Sequence, residues 1–225
     1  MVAIYPDQLQ PGDLAACYGA DRVSRGITWA TVNPLAPAGL RLGPSHVAMI
    51  VPQLQGGSLW CESTTLCARP CLIRRRPVSG CQAHLPADRI ADYLASGGRV
   101  DIWRLSRIDR LQPGEIGLLR DLVLHQFVGH GIGYDLGGAL LSGRRLRTLP
   151  RLMCADLEQL FCSELCAAVL MRLNRLCREN PSWFNPARLL RRLFGQGTYQ
   201  LAGQAVLQPE QPAAVRLWVP ESGAA

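Results

Sequence analysis

The order of the predicted elements indicates an α+β fold. Strand patterns dominate the first half of the chain and helical patterns the second, and no internal repeat or low-complexity linker separates them. With 225 residues, 48% of them hydrophobic, the chain can bury one sizeable core. We therefore predict one domain over residues 1–197. A C-terminal tail should follow over residues 198–225, where proline and glutamine recur without a strong period.

The clearest strand signal lies at residues 46–51, an apolar run that opens on His46. Residues 55–57 read Gln-Gly-Gly and can reverse the chain, and residues 59–63 then return. This pattern predicts a β-hairpin buried on both faces. Shorter strands are predicted at 14–18, after a turn at 10–13, and at 100–105.

Helical spacing of apolar residues predicts the remaining elements. A short helix should span 24–32, with Ser24 as its cap. Another should span 86–96 and end at the glycine pair 97–98. Further helices are predicted at 115–128, at 186–194 and over the segment that contains Cys162, where residues 162, 165, 166, 169, 173 and 176 form one apolar face.

The charge pattern limits the kind of partner. The net charge is +7, and all 24 basic residues are arginine. A GC-rich genome explains the arginine usage most simply, while an anionic partner such as a phospholipid surface or a cell-wall polymer is the functional alternative. The arginine clusters at 74–76, 144–147 and 191–192 are short and contain no aromatic residues. They indicate solvated loops rather than a nucleic-acid surface.

The sequence contains no membrane or export signal of a familiar type. No apolar run approaches the roughly 20 residues that span a bilayer. The first residues lack a basic leader followed by an apolar stretch. We expect a cytoplasmic protein by default. Release by lysis, in a phage particle or through a specialised secretion machine would require no such signal.

Nine cysteines are an unusually high number for a chain of this length. Without an export signal they are predicted to be free thiols rather than a disulfide framework. Four of them fall close together, at Cys61, Cys67, Cys71 and Cys81, but their gaps are irregular and contain no Cys-x-x-Cys pair. We therefore predict neither a metal site nor a cofactor.

Cys162 is the strongest candidate for a nucleophile. If a helix begins close to this residue, unpaired backbone N–H groups and the helix dipole favour a thiolate there. If the helix begins instead within residues 155–160, which also favour a helix, most of that benefit is lost. The alternative role for Cys162 is a small buried hydrophobic residue like Cys166.

His46 is the best candidate for the base among four histidines. His84 is predicted to lie in a polar loop, His125 in mid-helix and His130 among glycines, whereas His46 opens a strongly apolar strand. Glu62 on the returning strand needs a partner if it is buried. It shares a face with His46 if the hairpin register places Trp60, Glu62 or Thr64 opposite His46. A register shifted by one residue would separate the two side chains.

The motif order resembles a known family. The circularly permuted NlpC-type papain-like hydrolases, most closely their YiiX-like and YaeF-like branch, share a series of short motifs that extends over residues 9–190. In this chain the series runs Pro-Gly-Asp at 11–13, Ser-His-Val-Ala at 45–48, Glu62, Gly-Tyr-Asp at 133–135 and Phe-Cys-Ser-Glu-Leu at 161–165. As in the permuted group, the histidine strand precedes the cysteine helix.

The resemblance implies a papain-like fold, with an antiparallel sheet or small barrel packed against helices. It also implies roles: Cys162 as nucleophile, His46 as general base and Glu62 as the residue that orients the histidine. Tyr134 would help the backbone N–H of Cys162 bind the oxyanion, or else pack against the core. The cysteine- and arginine-rich stretch 67–81 and the basic segment 144–151 have no counterpart in the family pattern.

Three functions remain open at this point. The first is a hydrolase of amide bonds in cell-wall peptides or other peptide-like substrates. The second is a hydrolase or transferase that attacks lipid esters or thioesters. The same thiolate could attack an ester, and the apolar surroundings of Cys162 suit a lipid. The third is a non-enzymatic binding module on the same shell. Nucleotide binding is not supported, since residues 129–138 lack the G-x-G-x-x-G spacing and the chain lacks a phosphate-loop lysine.

Overall fold

A single open sheet of seven strands organises the part of the chain that the structure describes, residues 1–65, 67–132 and 162–207. The structure is a computed structural model. The strand order is β1-β7-β6-β2-β3-β4-β5. The strands are β1 Ala3–Ile4, β2 Leu14–Tyr18, β3 His46–Pro52, β4 Ser58–Thr64, β5 Gly80–His84, β6 Arg99–Leu105 and β7 Tyr199–Ala205.

The sheet is mixed and does not close. Every neighbouring pair is antiparallel except β1 and β7, which run parallel. The α+β prediction is confirmed in this coarse form. The small-barrel alternative is wrong, because β1 and β5 lie at opposite edges of the sheet rather than pairing with each other.

Five α-helices accompany the sheet within the described residues. They are α1 Arg22–Ala30, α2 Pro86–Ala95, α3 Pro113–Arg120, α4 Cys162–Arg172 and α5 Pro186–Gly195. The predicted helix at 115–128 is present, but its second part, Asp121–Gly129, is a π-helix that continues α3. The cap of α1 is Asp21, which accepts a hydrogen bond from the Ser24 backbone N–H, and not Ser24 itself.

The side-chain alternation of the strands builds one core on each face of the sheet. On one face, Val47, Met49 and Cys61 pack with residues of α3, α4 and α5. On the other face, Ala48, Ile50 and Trp60 pack with Ile90 and the half-buried Tyr93 of α2. Helix α4 is buried on nearly all sides. The central strands are therefore apolar on both faces, as the continuous run in β3 predicts.

Three strands, β1, β5 and β7, were not predicted, and the last two each correct an interpretation of the sequence. β5 places His84 at the end of a buried strand, so the predicted polar loop is wrong at this residue. β7 lies inside the sheet between β1 and β6, so the ordered domain continues beyond residue 197. The segment lacks a clear apolar alternation, because Gln200 and Leu201 are both exposed and only three of its seven residues are buried. The remaining tail, 208–225, lies outside the described residues.

The predicted turn at 10–13 is hydrogen-bonded to two strands of the sheet, β6 and β7. The Asp13 carboxylate accepts two parallel hydrogen bonds from Arg104 on β6, with Nε–Oδ1 at 3.0 Å and Nη2–Oδ2 at 2.7 Å. Gly12 has a positive φ of 84°, which favours glycine, and its carbonyl accepts a hydrogen bond of 2.7 Å from the buried Tyr199 hydroxyl. The Pro-Gly-Asp motif thus joins β2, β6 and β7.

Within the described ranges, no helix combines the length and apolarity needed to cross a bilayer.

Replacing Tyr199 by Phe tests the anchoring of β7. The change leaves the Gly12 carbonyl buried without its donor, so we expect the free energy of unfolding to fall by about 1–3 kcal/mol. Urea denaturation followed by circular dichroism measures this. Tyr5→Phe, at a partly exposed position, is the control and should change stability by less than about 0.5 kcal/mol. Equal effects of the two substitutions would contradict the anchoring.

Candidate active site

The β3–β4 pairing places His46 and Glu62 on one face of the sheet. Met49 pairs with Cys61 and Ile50 with Trp60. Continued toward the open end of the hairpin, this register sets Glu62 opposite Ala48, two positions from His46. Diagonal neighbours on one face of an antiparallel pair lie within reach of each other's side chains. The hairpin register therefore brings the imidazole to the carboxylate.

The contact between these side chains is direct. His46 Nε2 lies 2.7 Å from Glu62 Oε2. The Glu62 side chain is completely buried and that of His46 is 12% exposed. A carboxylate without water needs charged partners, since removing it from solvent costs several kcal/mol. The hydrogen bond also fixes which ring nitrogen faces Glu62, and so leaves Nδ1 for another partner.

Arg89 is the second partner of the carboxylate. Its Nε donates to Glu62 Oε1 at 2.7 Å, and its Nη1 donates to Asp92 Oδ2 at 2.9 Å. Asp92 in turn accepts a two-point hydrogen bond from Arg69, at 2.8 and 2.7 Å. Arg89, Asp92 and Tyr93 share the face of α2 that is turned to the sheet, through their i, i+3 and i, i+4 spacing. A chain of alternating charges therefore extends from His46 to the surface.

Cys162 completes the arrangement on the other side of His46. It is the first described residue of α4 and is 4% exposed. Its side chain lies close enough to the His46 ring for the two groups to interact electrostatically. The imidazole thus lies between a thiol and a carboxylate. A catalytic triad requires a connected line of thiol, imidazole and carboxylate of this kind.

The pKa values of the pair follow from this geometry. Burial alone favours a neutral imidazole, but the negative charges of a Cys162 thiolate and of Glu62, with their hydrogen bonds, outweigh burial and raise the pKa of His46 to about 10. Burial likewise opposes ionisation of Glu62, but the contacts with His46 and Arg89 prevail and hold the pKa of Glu62 well below its usual range. At neutral pH Glu62 is therefore a carboxylate, and His46 is an imidazolium when Cys162 is a thiolate.

The other candidate residues lie away from the His46–Glu62 pair or outside the described residues. His125 and His130 are exposed, and the His130 ring bonds to the backbone carbonyl of His125. Tyr134 and the basic segment 144–151 lie outside the described residues, and so do residues 155–161, where the onset of the cysteine helix has to be decided. The oxyanion role of Tyr134 and the helix-dipole argument for Cys162 therefore stay predictions.

Sequence reasoning missed Arg89, although it predicted the helix that carries it. The sequence offers only a weak signal for this contact, since Arg89 is an arginine on the helix that directly follows the hairpin and β5. It also missed Cys17, which pairs with His46 across β2 and β3 and whose thiol donates to the Ala15 carbonyl at 3.6 Å. Burial raises the pKa of the Cys17 thiol well above its ordinary value, so this second cysteine beside the site stays protonated.

A scan against protein-family models finds no match for the chain, and a search of curated protein sequences finds none either.

The substitution Glu62→Gln tests the electrostatics of the site. Removing the carboxylate charge should lower the pKa of His46 by at least about one unit, since a charge at hydrogen-bonding distance shifts a pKa by roughly 1–3 units. NMR titration of the His46 ring carbons measures this directly. Asp88→Asn, on the same helix as Arg89 but without a contact to His46, should leave the titration unchanged. A His46 that titrates near pH 6.5 in the unaltered protein would contradict the proposed charge state.

Proposed function

We propose that this protein is a cysteine hydrolase with Cys162 as nucleophile, His46 as general base and acid, and Glu62 as the residue that orients and charges the histidine. The observation that carries the proposal is the position of His46 between the Cys162 thiol and the buried Glu62 carboxylate. An imidazole held by a buried acid on one nitrogen and beside a thiol on the other is arranged for proton transfer.

The reaction follows from the charges of these groups. His46 holds the proton that Cys162 gives up, and the sulfur attacks the substrate carbonyl carbon to form a tetrahedral intermediate. The intermediate collapses when the imidazolium donates its proton to the leaving group, which departs as an amine or alcohol. A water molecule then gives a proton to His46 and attacks the acyl-cysteine thioester. The acid product leaves and the starting state returns.

The position of His46 supports a thiolate as the attacking form of Cys162. Glu62 faces His46 and Arg89 in a nearly dry setting, and Arg89 is shared with Asp92. Glu62 is thereby left to stabilise a positive charge on His46. A histidine cation beside a cysteine favours the thiolate.

An amide bond in a peptide-like substrate is the primary assignment, and it rests on the resemblance to NlpC-type enzymes. The test combines soluble peptidoglycan fragments and synthetic peptide amides as substrates. Cys162→Ala should reduce turnover at least about a thousandfold, because it removes the attacking atom. The matched control is Cys177→Ala, which changes an exposed cysteine. Equal turnover by both variants would refute the proposal.

Alkylation kinetics test the charge state without knowledge of the substrate. Iodoacetamide should modify Cys162 faster than Cys177 at pH 7, with the sites separated by peptide mass spectrometry. His46→Ala should slow modification of Cys162 roughly tenfold, since an ordinary thiol is only a few per cent ionised at this pH. If Cys162 reacts no faster than Cys177, the chain is a binding module on the same shell.

An apolar surface with basic neighbours favours an acyl lipid as the second candidate substrate. Trp29 is 82% and Leu35 96% exposed, and exposed arginines lie close to them in the sequence, at positions 22, 25 and 41. The segment begins directly after β2, where the Gly19 N–H donates to the Ser45 hydroxyl beside His46. Apolar side chains with arginine neighbours suit an anionic membrane surface.

Vesicles of phosphatidylglycerol separate the two substrates. If the lipid assignment is right, mass spectrometry should detect an acyl group on Cys162 after exposure to the vesicles. Trp29→Ala combined with Leu35→Ala should then reduce that acylation while leaving turnover of soluble esters unchanged. Acylation by peptide substrates alone would leave the amide assignment.

A further inference from the structure

Three buried side chains of different chemistry converge beside the proposed triad. The ligand atoms of Glu62, Cys67 and His84 all lie within 4.8 Å of one another. Glu62 and His84 share one face of the sheet, because Glu62 pairs with Gln82 and Trp60 with His84 across β4 and β5. Cys67 follows β4 and approaches the same point. We infer that these three side chains form a site for a divalent transition metal, with zinc as the best-matched ion.

The donor set determines the class of ion. A thiolate, an imidazole and a carboxylate are the three side-chain ligands that proteins use for zinc, and a thiolate excludes calcium and magnesium as preferred ions. Three protein ligands also leave a fourth position for water. The bond lengths of zinc place its ligand atoms about 3.5 Å apart, so the three groups need only a small inward movement from their present spacing.

The orientation of His84 suits a ligand. The Gln82 amide nitrogen donates to the backbone carbonyls of Thr64, Val78 and Gly80, at 2.9, 3.2 and 3.3 Å. Gln82 Oε1 therefore faces His84 Nε2, at 2.9 Å, and accepts a hydrogen bond from the Nε2–H group. The lone pair of the neutral ring then lies on Nδ1. Such an outer contact fixes the tautomer of metal-binding histidines in general.

Glu62 can accept a metal without giving up its present partners. A carboxylate offers about four lone-pair positions, and His46 and Arg89 each occupy one. Cys67 releases its proton to solvent when the sulfur binds, so its thiolate offsets one of the two charges of a divalent ion. The opposing contribution comes from Arg89 and His46, whose positive charges lie on the same carboxylate.

A metal at this position should inhibit the proposed triad, and this part of the inference rests on the proposed function. A divalent ion on Glu62 draws the electron density of the carboxylate away from His46 and weakens the hydrogen bond that orients the imidazole. The His46 ring is then held less firmly beside Cys162. Metal binding at this site should therefore inhibit the hydrolase without touching Cys162.

Cobalt(II) tests the site independently of catalysis. In a Cys162→Ala background, which removes the nucleophile as a competing ligand, one equivalent of Co²⁺ should give the intense sulfur-to-cobalt absorption band and the visible bands of a tetrahedral ion. Adding Cys67→Ala should abolish the sulfur band, and His84→Gln should weaken binding at least about tenfold. Adding Cys177→Ala instead should change neither. Circular dichroism checks that every variant is folded.

Two results would overturn the metal site: no cobalt spectrum in the Cys162→Ala protein, or a sulfur band that persists with Cys67→Ala. Alkylation of Cys162 in the presence of zinc tests the inhibition. Zinc should slow it in the unaltered protein and not in Cys67→Ala; equal slowing in both would place zinc on Cys162 and His46 and refute the inhibitory role. If cobalt binds but Cys162 reacts like Cys177, the metal site stands and the hydrolase proposal fails.

Discussion

Burial of the Glu62 carboxylate is the constraint on which the rest of the site depends. The side chain has no exposed surface, and its two oxygens meet one cation each, His46 on one side and Arg89 on the other. Losing either partner leaves an ion in an environment that stabilises it poorly, at a cost of roughly 3–5 kcal/mol for a broken buried pair. The positions of β3, β4 and α2 are thereby coupled to one another through a single functional group.

The same constraint links the site to the surface. Arg89 is shared between Glu62 and Asp92, and Asp92 is shared with the more exposed Arg69. Tyr93, one turn after Arg89, lies with its ring 5.4 Å from the guanidinium and packs toward Trp60 at a ring separation of 6.3 Å. The α2 face thus combines apolar packing with the ion pairs. This anchors Arg89, and through it Glu62, more firmly than an isolated pair would.

The cysteines divide into groups once their surroundings are known. Cys61, Cys71, Cys81 and Cys166 belong to the core on the α4 face, and burial raises the pKa of Cys61 and Cys166 well above the ordinary value. They behave as small apolar residues. Cys162 has the His46 imidazole beside it, and Cys67 has a carboxylate and an imidazole. A thiol becomes reactive or ligating through its neighbours, and composition carries no information on those neighbours.

The sequence by itself determined the local elements: the continuous apolar run of β3, the glycine turn after it, and the apolar periods of α2 and α4 follow from side-chain spacing that each segment carries alone. It also singled out His46 and Glu62, since a polar residue in an apolar strand needs a partner. Cys162 depended on the resemblance in motif order as well, and Tyr134 came from that resemblance alone. It did not find β7, whose place between β1 and β6 depends on pairing with strands about two hundred and one hundred residues earlier.

Only the tertiary structure decided the hairpin register, the contact of Arg89 from α2 with Glu62, and the approach of Cys67 and His84 to the same carboxylate. Those contacts join residues that are distant in the chain. They are favoured because an unpaired Glu62 carboxylate in the interior would cost free energy. That cost arises only once the interior has formed.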